Sequence, residues 1–177
     1  MRFLVSALGL AWLAGAEALA CPRQRRELGG FSLLLPAAMT LQAGGTDSYT
    51  GRLVGVGLQI EYDLGLYADP LQARAAAVDR TQRAVTVDGH AGWLVRWREP
   101  SPAPTRCFIG LHLPQVRDSI MGPLRLTLLA WSLEPAAADA AQTILLSLRL
   151  TVPLATPDRQ SGSAQPRHAG LGVRGKG

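Results

Sequence analysis

The dipeptide Asp88-Gly89 narrows the range of folds open to this chain more than any other feature, because it joins two segments typical of paired β-strands. Asp-Gly is a favoured two-residue turn of antiparallel hairpins, since both residues readily adopt a positive φ. The segment after the turn alternates, with Ala91, Trp93, Val95 and Trp97 on one face and His90, Leu94, Arg96 and Arg98 on the other. The sequence therefore predicts a hairpin within an antiparallel sheet.

Other short apolar segments, bounded by Pro, Gly and polar turn residues, read as further strands. Leu124–Trp131 is the most continuously apolar of them, which is typical of a central strand. We treat the following segments as extended: Phe31–Leu35, Leu53–Tyr62, Ala84–Val87, His90–Arg98, Arg106–Leu113 and Leu124–Trp131.

Two segments predict helices. Leu71–Val78 is rich in Ala and follows Asp69 and Pro70, which suit the N-cap and first position of a helix. A second helix begins near Pro135, where Glu134 favours the helix dipole. Its apolar residues recur at helical spacing, as in a face packed on a sheet: Ala137, Ala140, Ala141, Ile144, Leu145 and Leu148.

This order of elements predicts an α+β fold. The length of 177 residues favours a single domain. We expect a mostly antiparallel sheet of about six strands, a short helix in mid-chain and a C-terminal helix packed on the sheet. The domain spans residues 30–155 and follows a short N-terminal segment, 21–29. Residues 156–177 are rich in Gly and have little to bury, so we expect a disordered tail.

The first 20 residues have the three regions of an export signal. Arg2 supplies the positive charge, Phe3–Leu13 is an apolar run of signal-peptide length, and Ala18-Leu19-Ala20 is a cleavage site of the A-x-A type. The run is too short to cross a bilayer, and no later segment qualifies as a transmembrane span. We therefore expect an exported protein, periplasmic or secreted.

Cleavage would make Cys21 the first mature residue, and this leaves two alternatives open. Cys21 and Cys107 are the two cysteines of the chain, and in an oxidising compartment they could form a disulfide. Such a bond would stabilise the fold by ~4–5 kcal/mol in the chain-entropy model. The residues before Cys21 also match a lipobox in part, and the alternative is a lipoprotein anchored through Cys21.

The positive charge of the chain lies at its two ends. The formal net charge is +5, but residues 28–155 contain 10 basic and 10 acidic side chains. Nucleic-acid modules carry a basic stripe on the fold itself, so this distribution argues against nucleic acid as a partner.

The sequence contains no established catalytic or metal-binding pattern. Cys107 and His112 are five residues apart on one strand and so point to opposite faces, which argues against a thiol nucleophile with that base. The histidines lack the spacing of a zinc site, and no phosphate-binding loop is present. We expect no cofactor and no metal.

Acidic and aromatic residues between Glu61 and Asp69 are the remaining candidates for a site. Glu61, Asp63 and Asp69 could carry acid–base chemistry, but Glu61 and Asp63 share a strand face and could instead pair with Arg96 or Arg98 across the sheet. We expect Tyr62 and Tyr67 to be exposed rather than Trp93 and Trp97, because the two tryptophans share a strand face that is typical of a core. The candidate binding residues are Tyr62, Asp63, Tyr67, Arg96 and Arg98.

Three short motifs resemble the PsbP-like α/β/α sandwich, the fold of the photosystem PsbP subunit and of LpqN- and DcrB-type lipoproteins. They are the opening strand and proline of residues 31–36, the turn Val87-Asp88-Gly89-His90-Ala91, and the closing phrase of residues 144–150. The resemblance covers about residues 30–152, although Met39 and Leu41 stand where those domains usually carry a tryptophan. It implies a binding or accessory protein, with no catalytic residues to transfer.

These observations together predict an exported, non-enzymatic binding or accessory protein of the cell envelope with an unidentified ligand. The alternative is an immunity- or inhibitor-type protein that binds a partner protein, such as another envelope protein. A third hypothesis is a hydrolase that uses the acidic cluster of Glu61, Asp63 and Asp69.

Overall fold

A computed structural model describes residues 22–44, 49–55, 57–72, 77–100 and 104–151 of the chain. Of these residues, 65% lie in strands and 10% in helix. The strands are β1 (Arg23–Glu27), β2 (Phe31–Pro36), β3 (Thr40–Ala43), β4 (Tyr49–Gly55), β5 (Leu58–Gly65), β6 (Val78–Val87), β7 (His90–Glu99), β8 (Arg106–Ser119), β9 (Gly122–Ser132) and β10 (Arg149–Leu150), and the helix is α1 (Pro135–Leu146).

The strands form two antiparallel sheets. The large sheet has seven strands in the order β3-β4-β5-β9-β8-β7-β6, and the small sheet has the order β1-β2-β10. Strand β9 lies in the middle of the large sheet, as its continuous apolar sequence predicts. The turn at Asp88-Gly89 joins β6 to β7, where Val87 pairs with His90, so the predicted hairpin is confirmed.

The predicted α+β class is wrong, because the described part of the chain is mostly β. The prediction was one sheet of about six strands, whereas the described residues form ten strands in two sheets of seven and three. Strands β1, β3 and β10 are short, and their exposed or polar residues give no strong periodic signal. One helix is present among the described residues, and it is the C-terminal one.

The predicted mid-chain helix is not found in the described residues. Residues 73–76 lie outside them, Leu71 and Gln72 are irregular, and Val78 already begins β6. Asp69 does not cap a helix; its Oδ1 accepts a hydrogen bond from the backbone N–H of Leu71, 2.8 Å away, in an Asx-type turn. Leu71 has a φ of +57°, which no helical residue adopts. Side chains that favour a cap also favour this turn, which explains the error.

The segment Leu53–Tyr62 is not one extended stretch but the two strands β4 and β5, joined by a tight turn. Gly55 and Gly57 have φ values of +157° and +70°, and Gly55 pairs with Leu58 across the turn. A Cβ atom at Gly55 would approach the Ala38 carbonyl oxygen to 2.8 Å, so the chain reverses where only glycine fits closely. The two glycines therefore belong to the turn of a hairpin.

One face of the large sheet packs on α1 and on the small sheet, and the larger hydrophobic core lies between them. The helix begins at Pro135 as predicted, and the backbone N–H groups of Ala137 and Ala138 bond to the Glu134 carbonyl oxygen. Mostly aliphatic side chains from all three layers fill this core, together with the rings of Phe31 and Tyr62. The aliphatic ones include Leu33, Leu53, Ile60, Leu111, Leu128, Ala141, Ile144 and Leu145.

Several predictions fall on residues outside the described ones. They are the export signal of residues 1–20, the fate of Cys21, and the tail of residues 156–177. Cys107 is described: it is buried and carries a free thiol.

None of the helices among the described residues is long and apolar enough to cross a membrane.

Candidate functional site

The second face of the large sheet, which does not contact α1, carries a row of polar side chains across four strands. Asp63 on β5 pairs with Thr127 on β9, Thr127 pairs with His112 on β8, and His112 pairs with Trp93 on β7. Paired residues of antiparallel strands point to the same face, so the register alone brings these four side chains into line. Thr50 on β4 extends the row beyond Asp63.

Beside this row, on the same face of the sheet, lies a smaller hydrophobic cluster of Leu71, Val95, Trp97 and Phe108. The rings of Trp97 and Phe108 stack in parallel with centroids 4.9 Å apart. Arg106 lies over the ring of Trp131, 5.2 Å from its centroid. Aromatic residues therefore fill the part of this face that aliphatic side chains fill on the other.

The segment Leu66–Gln72, which we call the flap, is held over the second face by hydrogen bonds. Thr127 Oγ1 donates to the Asp69 carbonyl oxygen at 2.6 Å, and Trp93 Nε1 donates to the Pro70 carbonyl oxygen at 3.1 Å. Leu71 is buried against Gly110, where an added Cβ would collide with the Leu71 side chain. Three contacts in consecutive residues fix the flap in one position.

Between the flap and strands β3, β4, β5 and β9 lies a cavity of about 450 Å³. This volume falls within the usual range for small-molecule pockets, ~300–1,000 Å³. The lining residues are Gln42, Gly44, Thr50, Gly51, Arg52, Glu61, Tyr62, Asp63, Asp69, Leu71, Thr127 and Leu129.

Among the described residues that line the cavity, three are acids and one is a base. Arg52 donates from Nη2 to Glu61 Oε1 at 2.9 Å, and Gln59 Nε2 donates to the same oxygen at 3.0 Å. Asp63 and Asp69 supply the other two carboxylates, and Oδ1 of Asp63 is shielded from solvent. The described lining residues therefore include more acids than bases, which favours a positively charged occupant.

His112 is buried beside the cavity, and its ring is held by a hydrogen bond to Thr127. Its Nδ1 is 2.8 Å from Thr127 Oγ1, and since that hydroxyl gives its proton to the Asp69 carbonyl, the histidine N–H must donate to it. Burial lowers the pKa of His112, and the positive charge of Arg125 lowers it further, against an opposing effect of Asp69. The ring also packs on Trp93 with centroids 4.9 Å apart.

The structure brings the acidic cluster together but separates it from the predicted arginines. Glu61, Asp63 and Asp69 all line the cavity. Arg96 instead pairs with Asp139 on α1, and Arg98 pairs with Asp79 on β6. The predicted pairing of the acids with Arg96 or Arg98 is therefore wrong: β9 and β8 separate β5 from β7, and Arg96 faces the helix side of the sheet.

The two candidate tyrosines differ. Tyr67 is 91% exposed, as predicted, but it is not among the residues that line the cavity. Tyr62 is buried, so the prediction that it is exposed is wrong. It continues the inward alternation of Leu58 and Ile60, and its ring packs edge-on against Phe31 with centroids 5.2 Å apart. This burial raises the pKa of the Tyr62 hydroxyl.

Sequence reasoning missed Thr50, Arg52 and Thr127 as cavity residues. Thr127 stands inside an apolar strand, where a single hydroxyl gives little signal, and its role depends on the register with β5 and β8. The alternation of β4 could have placed Thr50 and Arg52 on one face, had that segment been recognised as a strand.

The described residues contain no group of three or more His, Cys, Asp and Glu side chains that could hold a metal ion. Cys107 pairs in register with Arg98 and Ser132, five residues along β8 from His112, and so lies on the opposite face of the sheet. His90 bonds through Nδ1 to the Gln115 carbonyl, 3.1 Å away.

No protein-family model matches this chain, and no curated protein sequence matches it. Among solved structures, the chain is similar to a crystal structure of a protein from Bacteroides thetaiotaomicron VPI-5482, with 9% identity and a TM-score of 0.50. The match covers 75% of this chain and 49% of that one, so this chain spans about half the length of that protein. A likeness at this identity concerns the fold alone, and the resemblance to PsbP-like domains stays a prediction.

Proposed function

We propose that this protein is a non-enzymatic binding protein whose cavity takes a small, polar, positively charged molecule. The observation that carries the proposal is the cavity of about 450 Å³ lined by three carboxylates and one guanidinium. A concave site with a few convergent polar groups is the usual form of a small-molecule pocket.

The contacts of the lining side chains favour binding over catalysis. Glu61 accepts hydrogen bonds from Arg52 and Gln59, and Asp69 holds the backbone of Leu71. Glu61 and Asp69 thus have positioning contacts within the protein. A hydroxyl at Thr127 and the amide of Gln42 add donors and acceptors that could orient a ligand.

The protein acts after export in this proposal, in the periplasm, outside the cell, or at a membrane through a lipid on Cys21. The support is the signal-like sequence of residues 1–20 and the cysteine that follows it. The free thiol of Cys107 is compatible with the lipid anchor, which would leave that thiol unpaired.

A thermal-shift screen tests the proposal with defined probes. The panel contains small amines and guanidines, such as ethanolamine, putrescine and agmatine, beside neutral and anionic molecules of similar size. We expect at least one cation to raise the Tm in proportion to the logarithm of its concentration, because a ligand that binds only the folded state stabilises it. Neutral and anionic probes should leave the Tm unchanged.

Two variants locate the binding. Asp63→Asn removes one cavity charge at nearly constant volume and should lower the affinity about ten-fold or more, as expected for one charged contact. Arg96→Ala removes a charge on the other face and should bind as the parent does. Equal affinity in Asp63→Asn and the parent, or no Tm rise with any cation, would contradict the proposal.

A hydrolase is the second candidate, favoured by the one observation that Glu61, Asp63 and Asp69 line the same cavity. Once the cation that binds is known, the test is whether the protein hydrolyses an ester or amide of it. A hydrolase would convert an ester or amide of that ligand and lose the activity in Asp63→Asn while keeping its Tm. A binding protein would leave this compound unchanged, both as the parent and as Asp63→Asn.

A further inference from the structure

The four most exposed large apolar side chains of the described residues lie at one end of the large sheet. They are Ile120, Tyr67, Met121 and Tyr49, at 105, 91, 76 and 65% exposure. Tyr49 begins β4, Tyr67 follows the end of β5, and the other two form the turn between β8 and β9. Antiparallel pairing places the start of β4, the end of β5 and the β8–β9 turn at the same end, which we call the hairpin end.

The β8–β9 hairpin projects beyond the end of β5 there. Gly65, the last residue of β5, pairs with Arg125, and the hairpin continues for three more residues to Gly122. At about 3.3 Å per residue, the turn stands ~10 Å beyond the end of β5. Tyr49 pairs with Leu64 and therefore lies near the end of β5, below the height of the turn. Tyr67, two residues after Gly65, also lies near the end of β5.

The turn is built to hold two apolar residues at its tip. Ser119 Oγ donates to the Gly122 carbonyl oxygen at 2.7 Å and accepts from the Met121 N–H at 3.2 Å, and Gly122 has a φ of +121°. Turns normally carry Gly, Asn, Asp, Ser or Pro, which water solvates well. Ile120 and Met121 break that rule at the most projecting point, and such violations concentrate at functional sites.

The charges near the tip suit a negatively charged surface. Arg117 is exposed on the outer part of β8, and Arg125 lies at the base of the hairpin. The acid between them and the turn, Asp118, accepts a hydrogen bond from Gln115 Nε2 at 2.9 Å on the side of β8 away from the turn. The outer hairpin thus has two guanidinium groups and one carboxylate.

We propose that the hairpin end docks on an anionic lipid bilayer. Ile120 and Met121 enter the boundary between headgroups and acyl chains, while Tyr49 and Tyr67 reach the headgroup level, where tyrosine is enriched in membrane proteins. A protein partner would need a complementary surface, and stable protein interfaces bury about 800 Å² on each side. Four side chains at two heights do not form such a surface, whereas a bilayer adapts to any convex tip. This proposal does not depend on what the cavity binds.

Vesicle flotation tests the proposal with the chain expressed with its own N-terminus and purified after processing. All proteins carry Cys21→Ser, so no acyl chain can be attached. The probes are large unilamellar vesicles of phosphatidylethanolamine and phosphatidylglycerol at 3:1, and vesicles of phosphatidylcholine. We expect binding to the anionic vesicles and weaker binding to phosphatidylcholine.

Variants at opposite ends of the sheet supply the comparison. The double change Ile120→Ser and Met121→Ser should lower the partition coefficient about ten-fold or more, since both apolar side chains leave the bilayer. Leu133→Ser alters a side chain that is 49% exposed just after β9, at the other end of the sheet, and should bind as the parent does. Equal binding of the double variant and the parent overturns the proposal.

Insertion is read directly from Met121→Trp. Its added fluorescence should shift to shorter wavelength with anionic vesicles and be quenched by brominated acyl chains. Vesicle binding without this quenching, or no binding of the parent at millimolar lipid, overturns the proposal. Either result would favour instead the immunity- or inhibitor-type alternative, in which the hairpin end meets a partner protein.

Discussion

The two faces of the large sheet are built from different chemistry. The helix side is filled mainly by aliphatic side chains from three layers, and among its residues Phe31, Leu33 and Leu128 are fully buried. The flap side has aromatic rings, a buried histidine and a hydroxyl that joins β8, β9 and the flap. Apolar burial needs only volume, whereas buried polar groups need particular partners. One face of the sheet therefore holds the fold together, and the polar groups of the other face shape the cavity.

Strand β9 allows the two faces to be tested separately, because its neighbouring residues point to opposite faces of the sheet. Leu128→Ala should lower the free energy of unfolding by about 2–5 kcal/mol, because it leaves a cavity in the larger core. Leu129→Ala, on the half-buried flap side, should cost clearly less. Urea unfolding measures both variants. Equal losses would mean that the two faces contribute alike to stability.

A hydroxyl at the centre of the flap side carries the next largest effect. Thr127→Val keeps the shape but leaves the His112 N–H and the Asp69 carbonyl without their bonds, at a cost of about 1–3 kcal/mol. Thr40→Val removes an exposed hydroxyl bond to the Val54 carbonyl and serves as the matched control, with little loss. Faster amide exchange in the flap of Thr127→Val would show that this bond positions it. Unchanged exchange would contradict that role.

The stability of the flap side should also depend on pH through His112. Its pKa is lowered in the folded state from an unfolded value near 6.5, so the unfolded chain binds the proton more readily. The free energy of unfolding should therefore be constant above pH ~7 and fall as the pH drops below ~6.5 toward the folded pKa.

The variant His112→Asn isolates this effect, because its amide N–H₂ can replace Nδ1 as donor to Thr127. Its stability should be flatter than that of the parent between pH 7 and 5, measured by urea unfolding at each pH. Asp88, whose pKa is lowered by its bonds to Arg149 and Leu150, acts only as the pH falls toward and below its ordinary value of 3.8. Parallel profiles for parent and variant would contradict the assignment to His112.

The smallest effect is expected at the surface of the helix side. Arg96→Ala removes an exposed ion pair with Asp139 and should change the free energy of unfolding by less than about 1 kcal/mol. It should also leave cation binding in the cavity unchanged, since Arg96 faces away from it. A clear loss of binding would place Arg96 back among the functional residues.

Local signals predicted some elements well. The Asp88-Gly89 turn and the Pro135 helix depend on residues adjacent in sequence, and both were found. The central position of β9 followed from its composition, because a strand with apolar residues on both faces must be covered on both sides. The mid-chain helix failed, since alanine content and a cap residue do not distinguish a helix from a turn such as that of Asp69.

The acidic residues of the site were also predicted from local sequence. Glu61, Asp63 and Asp69 are close in sequence and do meet at the cavity. Their link to Thr127 and His112 depends on the register of three strands that are far apart in sequence, and no local pattern specifies it. The prediction that Arg96 and Arg98 belong to the site failed because it needed the order of the strands in the sheet. This order is also a nonlocal property that no local pattern specifies.

NMR titration can show whether the cavity beside the flap binds a small cation. Amide shifts of the ¹⁵N-labelled chain are followed as the best cation of the panel is added. We expect saturable shifts at Thr50, Asp63 and Thr127, absent in Asp63→Asn, with α1 unaffected. Shifts confined to the helix side, or no saturable shifts at the cavity, would contradict the proposal.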